Sequence, residues 1–434
     1  MRSSVPPVAA LAGLLSATFE EFMARLAPIR IALPSLLLLG SVMPSYAVNP
    51  GFQDFFFSVC ASAEGALAAR CAETNGGLGD LSGDSESSLN PSQTLGLTNP
   101  ARSANATRAS DARDQGFETR SAFGNDNSLS LGRFSLILNA RAGEESFDRT
   151  VDVDRERAYD QDNHALQVGV DYRLNDRTQL GGWVTWEDHE LRFVNEQPGR
   201  NFAPQGSAGV IDRSAIGGVV FATTQFDNGV FLDAAAGLSR DDYDIERRSI
   251  FQESNRVIET TAINARASTS GTERWLGVTL GYTLQRSAWT VEPYGALTAS
   301  QVDVDGYQER DSASTGLALA IEDTSNDTLT GTLGLRVAGT FSGKGFVVLP
   351  QLRLEALHEF DTDAAASRVR FLEDAGNNTL NLRGAARDES YANLGVGAAL
   401  VLPRGFSAFV EYQTLVGAGD LDRWIVSGGI RLEL

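Results

Sequence analysis

From residue 129 onward, apolar and polar residues alternate with a period of two, the pattern of strands with one apolar and one polar face. The last twelve residues, RWIVSGGIRLEL, are the clearest case. Trp424, Val426, Ile430, Leu432 and Leu434 fall on one face, opposite Arg423, Ser427, Arg431 and Glu433. Phe406, Ala408, Val410 and Tyr412 likewise oppose Ser407, Glu411 and Gln413. The alternation predicts strands at 131–141, 164–174, 178–193, 212–226, 229–243, 267–286, 289–305, 327–342, 346–360, 390–402, 406–417 and 423–434. Short links at 175–177, 227–228, 342–345 and 403–405 alternate with long ones near 194–211, 244–266, 306–326 and 361–389.

Alternation alone also fits an antiparallel sheet of a soluble protein. Two features favour a membrane barrel. Segments such as 178–193 and 275–286 reach the ~9–11 residues that a tilted membrane strand needs. Their polar faces carry Arg, Glu and Gln along the full length, as expected where the interior is wet and the exterior meets lipid. Twelve is an even strand number, and closure removes the edges that an open sheet would expose. Trp183, Trp186, Trp275, Tyr282, Trp289, Tyr294 and Tyr412 lie toward strand ends, where an aromatic girdle is expected. The predicted fold is all-β: a single-chain, twelve-stranded antiparallel transmembrane barrel over 128–434, preceded by a largely disordered, partly helical segment.

The first 127 residues have another character. Arg25 and Arg30 precede an apolar run from Ile31 to Val42, and Ser45-Tyr46-Ala47 places small residues where a signal peptidase reads them. Residues 1–47 are thus expected to be a secretory signal cut after Ala47, with translation starting at Met23 if the signal has ordinary length. The only cysteines, Cys60 and Cys71, follow it closely, and in an exported chain such a pair is expected to close a small disulfide loop. Residues 64–72 suit a short helix. Between 73 and 127, Ser, Asn, Asp, Thr and Gly dominate; that composition cannot build a core and predicts an extended linker with at most a helical turn or two. Residues 48–127 are thus expected to form a short exported segment and linker.

Composition narrows the function. The chain has 434 residues, 43 glycines and a net charge of -20, which argues against a nucleic-acid groove. No phosphate loop, nucleotide fingerprint or cofactor site is apparent. Asp160, Asp162 and His164, and Asp241, Asp242 and Asp244, contain metal-ligating residue types but read as solvated acidic loops. Glu355 and His358 share a strand at a spacing that sends them to opposite faces.

The segments HALQVGVDYRLNDRTQLGGWVTW (164–186), FDNGVFLDAAAGLSRDDYDIER (226–247), RWLGVTLGYTLQRSAWTVEPYGALTASQVDVDGYQE (274–309) and VVLPQLRLEALHEF (347–360), with the Gly-Gly-rich last strand, resemble the translocator β-domain of type Va autotransporters. The resemblance implies a monomeric barrel in the lipid of the Gram-negative outer membrane, which translocates or anchors its N-terminal segment. It also implies a stretch around 101–124 threading the lumen as a helix, with Arg102, Arg108, Arg113 and Arg120 toward acidic wall residues. Periplasmic chaperones and the barrel-assembly machinery are the implied partners. The assembly signal would be Trp424, Val426, Ile430, Leu432 and Leu434, with Leu434 where the family usually ends in Phe or Trp. Residues 81–89, LSGDSESSL, are similar to a segment that precedes such barrels.

That segment holds Gly83-Asp84-Ser85, which elsewhere marks the nucleophile of an esterase. Ser85 would need a base and an oxyanion hole. No Asp-x-x-His occurs in the chain, and His164, His189 and His358 all fall in predicted strands. The chain is therefore expected not to be an enzyme, with the esterase a remote alternative. The nearer alternative is a pore or structural barrel whose N-terminal segment is a plug. Asn125-Asp126-Asn127 is a candidate cleavage neighbourhood.

Overall fold

The computed structural model describes residues 50–73, 91–123, 132–148, 157–194, 202–204, 209–253, 260–360, 366–384 and 388–434. Twelve long antiparallel strands form the wall: β1 (Phe134–Phe147), β2 (Tyr159–Arg173), β3 (Thr178–Phe193), β4 (Val210–Gln225), β5 (Val230–Glu253), β6 (Thr260–Tyr282), β7 (Trp289–Val304), β8 (Thr324–Gly339), β9 (Phe346–Glu359), β10 (Ser390–Leu402), β11 (Phe406–Val416) and β12 (Leu421–Glu433). Each pairs with its sequence neighbours, and β12 returns to β1 from Ser135↔Glu433 to Phe147↔Leu421, so the barrel is closed.

Side-chain direction follows strand parity. On β3, Leu180, Val184 and Trp186 point outward, while Gln179, Thr185, Glu187 and His189 are buried inside. On β12, Ile430 and Leu432 face out while Ile425, Ser427 and Arg431 face in. The outward apolar residues form a band that meets lipid, and the inward polar residues line a lumen. Short turns at one end, such as 174–177 and 403–405, oppose long connections at the other. β1 starts and β12 ends at the short-turn end, where the Leu434 N–H donates to the Phe134 carbonyl. Short turns are periplasmic in such barrels and long loops face outward.

Three expectations need correction. β1 runs past 141, β5 past 243, and β6 begins at Thr260 instead of 267. Above the lipid band the outward face of a strand is polar, so the apolar-outward alternation ends before pairing does. On β5, for example, exposed Asp242 and Asp244 flank buried Tyr243. The second correction concerns the aromatics. Trp186, Tyr282, Trp289 and Tyr412 face outward, but Trp183, Trp275 and Tyr294 are buried inside, because parity overrides nearness to a strand end. The third concerns the acidic triplets, which are not loops. Asp160, Asp162 and His164 lie on β2, and Asp241, Asp242 and Asp244 on β5.

Among the described residues, the segment before the wall is largely helical. α1 (Pro50–Cys60) and α2 (Gly65–Glu73) form a hairpin, and a 3-10 turn (Pro91–Thr98) leads into α3 (Asn99–Phe123). The 25-residue α3 replaces the extended linker that composition predicted over 99–123 and coincides with the helix around 101–124 that the resemblance implied. Ala47, Met23, Ser85, the LSGDSESSL stretch and Asn125–Asn127 lie outside the described residues.

Candidate functional site: a plugged lumen and its outer cap

α3 lies inside the barrel. At ~1.5 Å per residue it is about 37 Å long, enough to traverse a ~30 Å hydrocarbon core. Its sequence, NPARSANATRASDARDQGFETRSAF, has little apolar bias to any side, as a helix inside a polar tube requires. Pro100 sits in the first turn, where no N–H is needed, and small residues keep the helix thin. At Gly116 a Cβ would come within 2.9 Å of the Asp233 carboxylate, so any larger residue must push that side chain aside for the helix to lie this close to β5.

Charge fixes the helix in place. Arg108 is 1% exposed and makes a two-pronged contact with Glu187 on β3, Nε–Oε1 2.8 Å and Nη2–Oε2 2.7 Å. Its Nη1 donates to Glu273 on β6 at 2.6 Å. Arg213 on β4 joins this centre through Asp241 at 2.8 Å and through Glu273. Arg102 pairs with Glu359 at 3.1 Å and Arg113 with Glu355 at 3.3 Å. Buried charges persist when each is paired and hydrogen-bonded, which this arrangement achieves across five wall strands. Three of the four expected arginines thus meet wall carboxylates; the side chain of Arg120 lies outside the described residues.

The converse pairs were missed in the sequence. Asp111 accepts from Arg141 on β1 and Gln167 on β2, each at 2.7 Å. Asp114 is held by Arg336 on β8 and Arg353 on β9, and Arg353 also donates to Ser110 and Glu411, each at 2.6 Å. The helix carries both signs, Arg108-Ala-Ser-Asp111-Ala-Arg113-Asp114, and the wall carries the complement. A compact apolar patch packs Ala109 and Ala112 of α3 with Trp183, Phe221 and Trp275 of the wall. Between α3 and the β7–β12 side remains a polar gap of about 90 Å³, room for a few waters.

At the long-loop end the construction changes. Two of the long connections carry a small sheet, Tyr307–Gln308, Leu319–Ile321, Ala366–Phe371 and Leu380–Arg383 in that order. The helical hairpin packs on it. Phe55 stacks on Phe371 at 5.8 Å between ring centres, Phe56 meets the same ring edge-on, and Val59 and Leu67 are completely buried. The same apolar core includes Leu95 and Leu97 of the 3-10 turn and Leu191, Tyr243 and Ile263 from the tall strands.

Polar contacts lock the hairpin to the connection after β9. The Glu64 N–H donates to the Glu373 carbonyl at 2.9 Å, and the Leu67 N–H to its carboxylate at 3.0 Å, so a wall loop caps α2. Asp374 accepts from the Ser62 hydroxyl at 2.6 Å and from the Asn378 N–H at 2.7 Å. Burial opposes ionisation of Asp374, but the Ser62 hydroxyl and the Asn378 amides outweigh it and hold the carboxyl below its ordinary 3.8. Cys60 and Cys71 are bonded and close the hairpin, with their Cα atoms 5.4 Å apart. Beneath the cap, Arg247 of β5 is buried against Glu309 and donates to the Leu317 carbonyl at 2.7 Å.

A closed twelve-stranded wall, a charged helix threaded through it and a sequence before β1 that emerges at the long-loop end now stand together. The autotransporter β-domain family matches residues 140–413, more than half of the chain. The chain belongs to this family. Its barrel is accordingly a translocator of the Gram-negative outer membrane, with its outer wall in lipid. The pertactin autotransporter of Bordetella bronchiseptica is 25% identical over 338 residues, covering 76% of this chain and 33% of its own length. That of Bordetella parapertussis is 26% identical over 341 residues, with the same two shares. The chain therefore spans about a third of the length of the curated relatives it matches. The translocator domain of autotransporter NalP from Neisseria meningitidis superposes with a TM-score of 0.50 at 14% identity, over 77% of this chain and 99% of that one; this likeness concerns the fold alone.

The residues suggested for other chemistry are dispersed by the fold. His164 faces outward, His189 lies in the lumen beside Glu187, and His358 faces outward opposite Glu355. The assembly-signal residues Trp424, Val426, Ile430, Leu432 and Leu434 share the outward parity of β12, at the seam with β1.

Proposed function

We propose that this autotransporter barrel carries its own segment 48–123 outward and keeps it, with α3 as the plug of the lumen and the α1–α2 hairpin as a cap on the outer face. The carrying observation is direction: α3 pairs through Arg102 with Glu359 at the long-loop end, and the hairpin before it packs on the connection between β9 and β10. A segment lying on that side has passed the wall. Its role is display and closure, without catalysis. The last strand, from Trp424 to Leu434, serves as the signal that the barrel-assembly machinery reads by adding its own strand to an open edge, after periplasmic chaperones have delivered the chain. The barrel works as a monomer.

The test is access on intact cells. A protease site or small tag placed before Pro50 is expected to be cut or labelled from outside with the envelope intact. Protection until the outer membrane is permeabilised overturns the proposal and favours a plug held from the periplasmic side. Hydrolysis of short acyl esters that disappears in Ser85→Ala overturns the non-catalytic part.

A further inference from the structure

The outer wall is uneven. Across β5 to β10 the lipid-facing surface has an open apolar groove of about 840 Å³, lined by Leu280, Tyr282, Leu333, Leu354 and Leu394 and floored at Gly295. These five side chains are well exposed, Leu333 at 74%. The groove exists because small outward residues, Gly295 on β7 and Ala356 on β9, lie between the leucine ridges.

Its periplasmic end is marked by aromatics and cations. Trp289 and Phe341 meet edge to face at 6.4 Å on the outer surface, where an interfacial belt belongs. Just beyond them the β6–β7 and β8–β9 turns carry exposed Arg286 and Lys344. Lys344 is the sole lysine of a chain with net charge -20. From Trp289 to Gly295 is six residues of β7, about 20 Å along a strand at ~3.3 Å per residue. At a tilt of ~45° that is roughly 15 Å of depth, half of the ~30 Å hydrocarbon core.

We infer that this groove is a binding site for a diacyl phospholipid with an anionic headgroup, drawn from the inner leaflet of the outer membrane. One acyl chain lies along the groove from the interface to the midplane at Gly295. The phosphate and headgroup rest against Arg286 and Lys344. The depth fits a single leaflet and the cations fit the headgroup charge. The site is separate from the lumen and does not depend on the fate of the N-terminal segment.

Gly295 provides a clean test, because a Cβ there meets its nearest neighbour, Leu333 Cδ2, only at 3.8 Å, so a large side chain fills the groove without displacing backbone. The purified full chain in detergent is incubated with phosphatidylglycerol or phosphatidylethanolamine of equal acyl composition and examined by native mass spectrometry. Folding is checked by its shift in gel mobility on heating. The wild type is expected to retain phosphatidylglycerol preferentially. Gly295→Trp is expected to lower retention of both lipids at least about fivefold through lost apolar contact. Arg286→Glu with Lys344→Glu, both on exposed turns, is expected to abolish the headgroup preference, a loss on the order of tenfold, while leaving phosphatidylethanolamine bound. Val410→Trp, on the lipid face of β11, serves as control and is expected to change nothing. Equal retention by wild type and Gly295→Trp overturns the proposal. So does a dimer of the wild type that Gly295→Trp dissolves, because the groove is then filled by a second copy. A preference for phosphatidylglycerol that survives the double charge reversal also overturns it.

Discussion

The lumen and the cap hold the same N-terminal segment by opposite physics. Inside the wall, α3 has few large apolar side chains and is fixed by Arg108, Asp111, Arg113 and Asp114 against wall residues of the other sign. Outside, α1 and α2 are fixed by Phe55, Phe56, Val59 and Leu67 against Phe371 and the small sheet, with a disulfide closing the hairpin. The lumen is a narrow polar tube, so a segment inside it must be thin and polar all round. The cap sits where chain from several long connections converges, so it can exclude water and use apolar burial. Position within the envelope decides which force is available.

The contrast breaks first at Arg108. Arg108→Ala leaves buried Glu187 with the longer contacts of Arg141 and Arg213, each at 3.6 Å, and Glu273 with Arg213, and a broken buried pair costs ~3–5 kcal/mol. The expected outcome is a helix that leaves the lumen: single-channel recordings in planar bilayers show open events absent from the wild type, while the wall still resists unheated detergent. Leu67→Ala in the cap costs somewhat less, about 3 kcal/mol for a completely buried leucine. It is expected to raise protease cutting of the hairpin without opening the channel, which separates the two regions.

Smaller effects sharpen the separation. Reducing the Cys60–Cys71 bond removes the constraint on a loop of 11 residues of sequence separation, worth ~2–3 kcal/mol. Hydrogen exchange is expected to quicken in 50–73 and to stay unchanged in 99–123. The smallest effect is that of acid. Asp374 has its carboxyl held below the ordinary 3.8, so its contribution to the cap is complete above that value and is lost as the pH falls through the lower folded value. The protection factors of 50–73, taken against the intrinsic exchange rate at each pH, are expected to be level from pH 7 to 5 and to fall toward pH 3, with Ser62→Ala shifting the fall to higher pH.

Most of the wall was legible because lipid on one side and water on the other impose a strict two-residue alternation, and the β12 pattern of Trp424, Val426, Ile430, Leu432 and Leu434 survives in the structure residue by residue. Strand ends above the membrane were less legible, since outward Asp242 and inward Asp241 look alike in a sequence. The arginines of α3 were visible through a family resemblance. Asp111 and Asp114 passed as linker acids because their partners Arg141, Arg336 and Arg353 lie far away in the chain. The cap was least legible. LALAI (317–321) and RVRFL (368–372) carry the alternation of strands, but they sit in stretches that read as loops between barrel strands.

By itself the sequence determined a twelve-stranded membrane wall and which face of most strands meets lipid, because these follow from local periodicity against two solvents. Only the tertiary structure decided how far the helix after residue 98 runs, which wall residues its charges meet, and that Phe55 and Phe371 build a common core. A polar segment has no reason to fold until complementary charge surrounds it, and a loop has no core until another segment arrives to share it. Both conditions are met by residues hundreds of positions away, which no window along the chain contains.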